Sequence, residues 1–325
     1  MKIKEFIKYY FYKTYITKYM CYMNNIKKIF FILEHNLGAD EVLISYEQYT
    51  SILTVQISQD MNRMSFFRLV KYLIYCVGSI KKKSDIDKIN YRIKFNISDE
   101  GDVNTFSMDS TNEQKLIPDE YSMNEKYQRS NSIKLMSMNQ FKEKYIYKES
   151  QMFWRGSTTG IQIKNIEDLL ENRRIQNCLT FKEKKGFNVK ISKVSQSELP
   201  KKFVLKWLKE NKIYSKRVKE KEFANYRYFP DITGNVLAWG TIRKYKIGSL
   251  IFKPDNNRRL YYYKFINKWE HYIPIKNDLS DLEEKYIWAK TNESKAINIA
   301  YNGYLVANQY IDNIQNYFSD CLKAY

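Results

Sequence analysis

Residues 151–275 alternate short apolar runs, rich in β-branched and aromatic residues, with longer segments in which apolar residues recur every three or four positions. The short runs predict buried strands, and the longer segments predict amphipathic helices. A chain that alternates strands and helices forms a parallel sheet with helices on both faces, so the predicted fold class is α/β. We predict strands over 151–158, 187–194, 226–232, 249–252 and 272–275, and helices over 165–179, 199–212, 236–246 and 258–269.

The first half of the chain carries weaker patterns of the same kind. Apolar residues at helical spacing predict a helix over 65–79, and alternation predicts a strand over 92–99. Residues 100–132 are rich in Asp, Asn, Ser and Glu, which is typical of loops at the edge of a domain. The low content of Gly (10) and Pro (5) favours helices and buried strands over a sandwich rich in tight turns.

The length of 325 residues suits two domains, each large enough to bury its own core. We place an N-terminal domain at 1–140 and a C-terminal domain at 141–300. The last 30 or so residues carry apolar residues at helical spacing. Their final part, 301–325, is predicted to be a helix that packs back onto the first domain.

The chain carries 55 Lys and Arg against 36 Asp and Glu, a formal net charge of +19. Clustered cations gain free energy from phosphate contacts, so a nucleic-acid-binding protein is one interpretation. Lys, Asn, Ile and Tyr are abundant throughout, with 29 Tyr, which is the composition that the codon bias of an AT-rich genome gives to any protein. We interpret most of the charge as this bias, together with a site for one anionic ligand, and treat nucleic acid as the less favoured partner.

Cysteine, histidine and hydropathy exclude several classes of protein. The cysteines form no CxxC pair, so neither a zinc site nor a disulfide framework is predicted, and we expect no metal and a reducing compartment. The apolar runs of residues 1–25 are interrupted by Lys, which predicts neither a signal peptide nor a transmembrane segment. We therefore expect a cytoplasmic, viral-factory or virion location. The cysteines are Cys21, Cys76, Cys178 and Cys321. The two histidines, His35 and His271, are too few for a site built on several histidines.

Candidate ligand-binding loops follow three of the predicted strands or flank them. Ligands of an open parallel sheet bind at the carboxyl ends of its strands, where helix N-termini offer N–H groups to phosphate. The segments are Arg155–Gly160, Asp231–Asn235, and Gly248–Ser249 with Lys253 at the far end of the short strand. Each is weak alone, but together in one domain they predict a nucleotide pocket. The chain has neither a P-loop nor a GxGxxG motif, which disfavours P-loop ATPases and dinucleotide dehydrogenases.

Five segments of the second half carry a resemblance to a known family. They are FWRGSTTG (153–160), NYRYFPDITGN (225–235), KIGSLIFK (246–253), KWEHYIPIKNDLSDLEE (268–284) and AINIAYNG (296–303). In order and spacing they resemble glycosyltransferase family 90, which contains the protein O-glucosyltransferases and the fungal capsular xylosyltransferases. The resemblance is clear over the second half of the chain and faint in the first 140 residues.

The resemblance implies a GT-B fold of two Rossmann-like domains, with the nucleotide sugar on the C-terminal domain and the acceptor in the cleft. It implies an inverting reaction without an essential metal or other cofactor, in which one base takes the acceptor proton while cations hold the departing diphosphate. The family base is an Asp shortly after an N-domain strand, an element that Phe95-Asn96-Ile97-Ser98-Asp99 fits. We assign Asp99 as general base, with a solvated strand-end carboxylate as the alternative and Asp119 as the reserve candidate.

The resemblance also implies a set of donor-binding residues in the C-terminal domain. Ser157 and Thr159 would hydrogen-bond the nucleotide, while Arg155 and Gly156 would shape the loop. Arg155 could instead pair with a core acid, and one of the two arginines that follow on the next helix is expected to be solvated. The predicted donor-binding residues are Arg155, Gly156, Ser157, Thr159, Arg173 with Arg174 as its alternative, Gly234, Arg243 and Lys253.

Two positions depart from the family pattern. The family has Ser-x-Arg after the DxxG turn, with its Arg on the diphosphate, whereas this chain has Gly240 in place of that Arg. Arg243 lies three residues further on, on nearly the same helical face, and could reach the same oxygens. The second departure is Asn257-Arg258, where relatives usually have Glu-Trp. These changes leave the fold prediction unaltered and put donor identity and activity in question.

The sequence therefore predicts an inverting glycosyltransferase that moves glucose or xylose from a UDP-sugar to a protein or glycan hydroxyl. One rival is a catalytically degenerate relative that binds nucleotide or glycan, which Gly240 motivates, and another is a nucleic-acid-binding protein. We interpret His271 as a buried structural residue. The Asp85-Ile86-Asp87 triplet resembles a DxD metal motif, but its lysine-rich flanks are typical of a solvated loop.

Overall fold

The computed structural model describes residues 26–61, 90–98, 104–111, 115–119 and 135–309, with Gly101, Ser122 and single residues of segment 65–85. The chain divides into two compact units. The predictions for Asp99, for residues 1–25 and for residues 310–325 lie outside the described residues. Of the described chain, the first unit holds 26–122 and 259–261, and the second holds 135–258 and 262–309.

A mixed five-stranded sheet forms the first unit. Its strands lie in the order β1-β3-β2-β4-β5, with β1 parallel to β3 and β4 parallel to β5. Strand β2 is antiparallel to both of its neighbours. For β3 the reason is that the four residues between β2 and β3 are too few for a parallel crossover. The strands are β1 (Lys28–Glu34), β2 (Glu41–Glu47), β3 (Ile52–Ser58), β4 (Tyr91–Asn96) and β5 (Phe106–Ser107).

The sequence predictions for the first unit are confirmed in part. Strand β4 lies where alternation predicts it, and the described residues between 65 and 85 are helical, with Leu69 and Leu73 buried. The sequence analysis does not predict β1, β2 or β3. Strands β2 and β3 nevertheless alternate buried and partly exposed residues, which is the pattern of a half-buried strand.

A five-stranded parallel sheet forms the second unit, in the order β10-β9-β8-β6-β7. All four pairings are parallel, and all five strands lie within a few residues of their predicted positions. The α/β class with parallel-rich sheets is therefore confirmed. The strands are β6 (Glu149–Ser157), β7 (Phe187–Lys193), β8 (Tyr226–Pro230), β9 (Leu250–Pro254) and β10 (Ile273–Ile275).

Helices connect these strands and pack on the sheet. A buried cluster that includes Ile175, Val204 and Ile297 joins the helices to the strands. Within the described residues, no helix is both long and apolar enough to cross a bilayer. The helices are α1 (Met138–Ile146), α2 (Ile166–Glu171), α3 (Arg173–Phe181), α4 (Lys201–Glu210), α5 (Thr241–Lys246), α6 (Leu282–Thr291) and α7 (Glu293–Gln309).

Two predicted helices differ from the structure. The predicted helix over 165–179 is two helices, because Asn172 has extended backbone angles and its side chain caps the second helix, α3. The predicted helix over 258–269 is wrong, since only a short 3₁₀ turn at Tyr261–Phe265 forms there. The three consecutive tyrosines at 261–263 are all buried. In a helix with one face toward solvent, at least one of three consecutive side chains would point to solvent.

Helix α7 packs within the second unit, against α5, β9 and α1. Small residues allow this approach, since an added Cβ at Gly303 would lie 2.7 Å from the Tyr245 ring and 2.9 Å from the carbonyl oxygen of His271. The helix runs without a break across residue 300, where the sequence analysis places a domain boundary.

Candidate functional site

The strand order of the second sheet reverses between β6 and β8. The chain leaves β6 for the edge strand β7 and then returns across β6 to form β8 on its other side. Ligands of open parallel sheets bind at such a switch point, at the carboxyl ends of the two strands. The loops that follow there are 158–160 after β6 and 231–235 after β8.

The Arg174 guanidinium joins these two loops. Its Nε donates to the Thr233 carbonyl at 2.9 Å and its Nη2 to the Ile232 carbonyl at 3.1 Å. Its Nη1 donates to the Ser157 carbonyl at 3.2 Å and to the Thr159 hydroxyl at 2.6 Å. One side chain therefore fixes the spacing of the loops on either side of the switch point.

Asn172 holds Arg174 in this position. Its side-chain oxygen accepts hydrogen bonds from the backbone N–H groups of Arg174 and Ile175, and its amide donates to the Thr158 carbonyl at 2.9 Å. The fully buried Thr158 in turn donates its hydroxyl to the Ser195 carbonyl at 2.7 Å. These hydrogen bonds hold the start of α3 against the loop that follows β6.

Three of the predicted donor-binding residues meet at this point. The Ser157 and Thr159 hydroxyls lie 3.3 Å apart, and an added Cβ at Gly234 would lie 2.7 Å from the Thr159 hydroxyl oxygen. The same Cβ would lie 2.9 Å from Nη2 of Arg174, so a side chain at 234 would displace the guanidinium. Because Thr159 accepts from Arg174, its own proton is directed elsewhere, toward Ser157 or an incoming oxygen.

A buried carboxylate, Asp231, lies at the carboxyl end of β8. It accepts a hydrogen bond from the Thr241 hydroxyl at 2.7 Å. Burial raises the pKa of Asp231, while Lys244, the Thr241 hydrogen bond, Lys253 and Arg174 oppose this rise. Burial lowers the pKa of Lys244 to about 8, against the attraction of Asp231. Lys244, Lys253 and Arg174 therefore all favour the charged form of this one carboxylate.

Lys253, another predicted donor-binding residue, lies near the end of β9. Its side chain is buried, and its ammonium lies 3.9 Å from the ring centroid of Tyr263 and 5.3 Å from that of Tyr272. These aromatic faces stabilise the buried charge.

The structure places Arg155, Gly156 and Arg173 in other environments. Arg155 donates to the carbonyl and the side-chain oxygen of Asn188, both at 2.7 Å, so it holds β7 to β6 and does not pair with a core acid. An added Cβ at Gly156 would lie 2.2 Å from the Trp154 ring, so this glycine makes room for the indole. Arg173 is exposed and donates to the Asn277 carbonyl at 2.8 Å; the arginine at the switch point is Arg174.

Arg243 pairs with Glu220 at 3.2 Å, so its charge is already matched by a carboxylate. Gly240, where the family pattern has an arginine, is the residue before α5, and an added Cβ there meets no atom of the described residues within 4 Å. Among the described residues, nothing therefore blocks the first atom of a side chain at position 240.

The remaining candidates fall elsewhere. Gly248 and Ser249 precede β9 and lie at its amino end, so they do not belong to the switch point. Asp119 is fully buried and accepts from the backbone N–H and hydroxyl of Ser122, at 3.0 and 2.7 Å. His271 is buried and its Nδ1 accepts from the Asn267 N–H at 2.9 Å. Asp85 is helical and pairs with Lys81.

Sequence reasoning missed Lys244 and the Asp231–Thr241 pair. Lys244 is one of two lysines in α5, and no sequence pattern separates it from Lys246. Asn172 gives a usable signal for Arg174, because an N-cap Asn fixes which of the following residues start the helix.

The profile of the family described as Glycosyl transferase family 90 matches residues 120–325. Protein O-glucosyltransferase 3 of Homo sapiens is 34% identical over 106 residues, or 32% of this chain and 21% of that protein. Protein O-glucosyltransferase 2 of Danio rerio is 32% identical over 106 residues, with the same two shares.

A viral protein, Uncharacterized protein 027R of Frog virus 3 (isolate Goorha), is 28% identical over 94 residues, or 27% of this chain and 10% of that protein. The chain thus aligns with 21% of the length of the two O-glucosyltransferases. Since the family profile matches well over half of its residues, the chain belongs to glycosyl transferase family 90.

Proposed function

We propose that this chain is an inverting glycosyltransferase that transfers glucose or xylose from a UDP-sugar to a hydroxyl of a protein or glycan. Membership of family 90 supports glycosyl transfer, and the names of the O-glucosyltransferase relatives support a protein acceptor. The GT-B arrangement is part of the proposal. So is a viral-factory or virion setting, which the compositional bias and the Frog virus 3 relative support.

The observation that carries the donor half of the proposal is the Arg174 linkage at the switch point. It shapes a crevice at the edge of the sheet where α/β proteins bind nucleotides. Lys244 and Lys253, whose charges act on Asp231, are the cations that we assign to the diphosphate. The Ser157 and Thr159 hydroxyls supply short polar contacts beside it.

In the proposed reaction the acceptor hydroxyl oxygen attacks the anomeric carbon from the face opposite the diphosphate. The bond between that carbon and the diphosphate oxygen breaks as the new bond forms, and UDP departs with the electron pair. Asp99 takes the hydroxyl proton, and the cations near Asp231 stabilise the charge that develops on UDP. Asp119 is the weaker candidate base, because its carboxylate is buried and already accepts two hydrogen bonds from Ser122.

A hydrolysis assay with a panel of UDP-sugars tests this proposal. The unaltered chain should release UDP from UDP-glucose or UDP-xylose, and chelation of metal ions should leave the rate unchanged. Loss of a general base costs about 10²- to 10⁴-fold in rate, so Asp99→Asn should lose at least about 100-fold while Asp119→Asn loses far less. Equal rates in the unaltered chain and Asp99→Asn would remove Asp99 from the mechanism.

Gly240, where the family pattern has an arginine, favours a second candidate, a relative that binds UDP and does not turn over. Calorimetry separates the two functions. Tight UDP binding together with no UDP release from any sugar donor would support the binding function and contradict the transferase.

A further inference from the structure

The positive charge of the chain is concentrated in one stretch. Residues 182–221 contain fourteen Lys and Arg and four Glu, so they carry ten of the nineteen net charges in 40 of the 325 residues. Codon bias alone would spread lysine along the chain. Codon bias therefore does not explain why the positive charge is clustered in residues 182–221.

This stretch forms the outer edge of the second sheet. It contains the edge strand β7, helix α4 and a segment at 213–215 that runs beside β7. The Ile191 N–H donates to the Ile213 carbonyl at 2.8 Å, and the Ser215 N–H donates to the Ile191 carbonyl at 2.9 Å. Most of the cations here are exposed.

Few of these cations are matched by carboxylates. Among the described residues, the ion pairs of the stretch are Lys184 with Glu283, Lys206 with Glu210 at 3.7 Å, and Glu220 with Arg243. Lys201 and Lys202, in the first turn of α4, are exposed, and the described part of the chain places no carboxylate within 4 Å of them. The edge therefore presents a surplus of free positive charge.

An apolar groove lies beside these lysines. It has a volume of about 420 Å³ and is lined by residues 164–167 at the start of α2 and by Leu199, Pro200 and Phe203 at the start of α4. Two of the lining residues are exposed, Phe203 by 40% and Ile166 by 47%. Exposed apolar residues that gather round a concavity and a charged rim are typical of a site for another polypeptide.

The groove adjoins the switch-point crevice. The Ile163 N–H donates to the Gln196 carbonyl at 2.8 Å, and the Glu198 N–H donates to the Ile163 carbonyl at 2.9 Å. The Gln196 side chain accepts from the N–H of Gly160, which belongs to the crevice loop, at 3.0 Å. One loop, 195–198, thus connects the crevice to the groove.

We propose that this groove and the lysines of α4 dock an acidic polypeptide that inserts an apolar side chain, and that this polypeptide is the acceptor substrate. The second clause rests on the proposed transferase function. The polar residues in the lining, Lys164, Asn165 and Glu167, favour a polypeptide over a bilayer, which needs a continuous apolar face. Four of the seven lining residues are apolar and one is a carboxylate, Glu167, which disfavours a nucleic-acid backbone because that needs cations throughout. The proposed polypeptide places its apolar side chain in the groove and its carboxylates on the lysines of α4.

Fluorescence anisotropy with a labelled 4:1 Glu–Tyr copolymer tests the docking without requiring activity. The copolymer should bind the full chain, with an affinity that falls as salt rises. The combined variant Lys201→Glu, Lys202→Glu and Lys206→Glu should weaken binding at least about tenfold, since each exposed pair contributes a small increment. Glu at positions 201 and 202 suits the helix dipole, and the exposed Lys206–Glu210 pair that is lost contributes little to stability, so this variant should remain folded.

Matched controls separate the groove from generic charge. Reversal of three exposed lysines on other helices, Lys142→Glu, Lys290→Glu and Lys295→Glu, should leave copolymer affinity within about twofold. Phe203→Ser should weaken the copolymer about threefold or more and leave polyglutamate unchanged, because only the copolymer has an aromatic side chain to insert. Equal loss in both lysine triples, or no effect of Phe203→Ser, would overturn the proposal.

Two further probes and one ligand complete the experiment. Tighter binding of a duplex DNA or of phosphatidylserine vesicles than of the copolymer would overturn the proposal in favour of those partners. UDP titration reports on the proposed function separately. UDP binding without copolymer binding would reject the docking surface alone, and copolymer binding without UDP binding would reject the transferase alone.

Discussion

Lysines lie at both the carboxyl edge and the amino edge of the second sheet, but the groups around them differ. At the amino edge, Lys148 precedes β6, and its ammonium donates to three oxygens around the end of α5. At the carboxyl edge, Lys244 and Lys253 lie near a single carboxylate, Asp231, with Arg174 beside them. The acceptors of Lys148 are the carbonyls of Ile247 at 2.7 Å and Gly248 at 3.1 Å and the Ser249 hydroxyl at 3.3 Å.

The comparison shows that the two edges surround their cations differently. An ammonium has three donors, and those of Lys148 are all taken by the protein, at the negative end of a helix. At the carboxyl edge Lys244, Lys253 and Arg174 act electrostatically on one buried carboxylate, Asp231. The first arrangement stabilises the fold, and the second is the one to which we assign the proposed anion site.

The largest expected effect separates two neighbouring arginines. Arg174→Ala removes a guanidinium with four hydrogen bonds to the crevice loops, so UDP affinity should fall about 100-fold, near the upper limit for charged hydrogen bonds. Arg173→Ala should leave UDP affinity within about twofold, since its partner is the exposed Asn277 carbonyl. Calorimetry measures both. A similar loss in the two variants would contradict the placement of the site at the switch point.

Next in size is a loss of stability at the opposite edge. Lys148→Met leaves its three oxygen acceptors without this donor, so the free energy of unfolding should fall by about 2 kcal/mol. UDP affinity of the folded protein should not change. Urea denaturation measures the first effect and calorimetry the second, with the exposed Lys144→Met as the control. A fall in UDP affinity with unchanged stability would reverse our distinction between the two edges.

A smaller effect concerns pH at the carboxyl edge. With a pKa of about 8 in the free protein, Lys244 is charged below pH 8 and loses its charge above it. Because an anionic ligand favours the charged form, UDP affinity should be constant near pH 7 and fall by at most about tenfold per pH unit above 8. In Lys244→Arg the affinity should be flat to pH 9.5, since arginine stays charged. A pH-dependent affinity in that variant would assign the titration to another group.

The smallest expected effect is a gain in UDP affinity. Gly240→Arg adds a cation where an added Cβ meets no atom of the described residues within 4 Å, so UDP should bind about fivefold more tightly, as one partly solvated charge-assisted contact would allow. Gly240→Gln has a side chain of similar length without charge and should give no gain. Equal affinities of Gly240→Arg and Gly240→Gln would show that position 240 does not face the diphosphate.

The sequence predicts the second sheet well because its buried parallel strands are short apolar runs between helical segments. The family resemblance implies Ser157 and Thr159 as donor-binding residues, and the structure brings them together with Gly234, while their role stays a prediction. The sequence does not predict the partner of a side chain when that partner lies far away along the chain. The partner of Arg155 is Asn188, on another strand, and no local pattern indicates it.

The choice between Arg173 and Arg174 depends on where a helix starts. One residue along a helix turns a side chain by about 100°, so a helix without the break at Asn172 would direct different residues to the loops. Lys244 and Lys246 pose the same problem in α5, since both lie in one helical turn. For α3 the N-cap residue, Asn172, is a local signal of that start. Helix α5 begins after Gly240 without a side-chain cap, so the sequence holds no such signal for Lys244.

The Arg174 linkage has a thermodynamic consequence for ligand binding. Its hydrogen bonds join the Ser157 carbonyl to those of Ile232 and Thr233 in the free protein, so the conformational entropy of these loops is lost during folding. The proposed nucleotide would therefore meet loops that are already ordered, so its binding would lose little free energy to loop ordering.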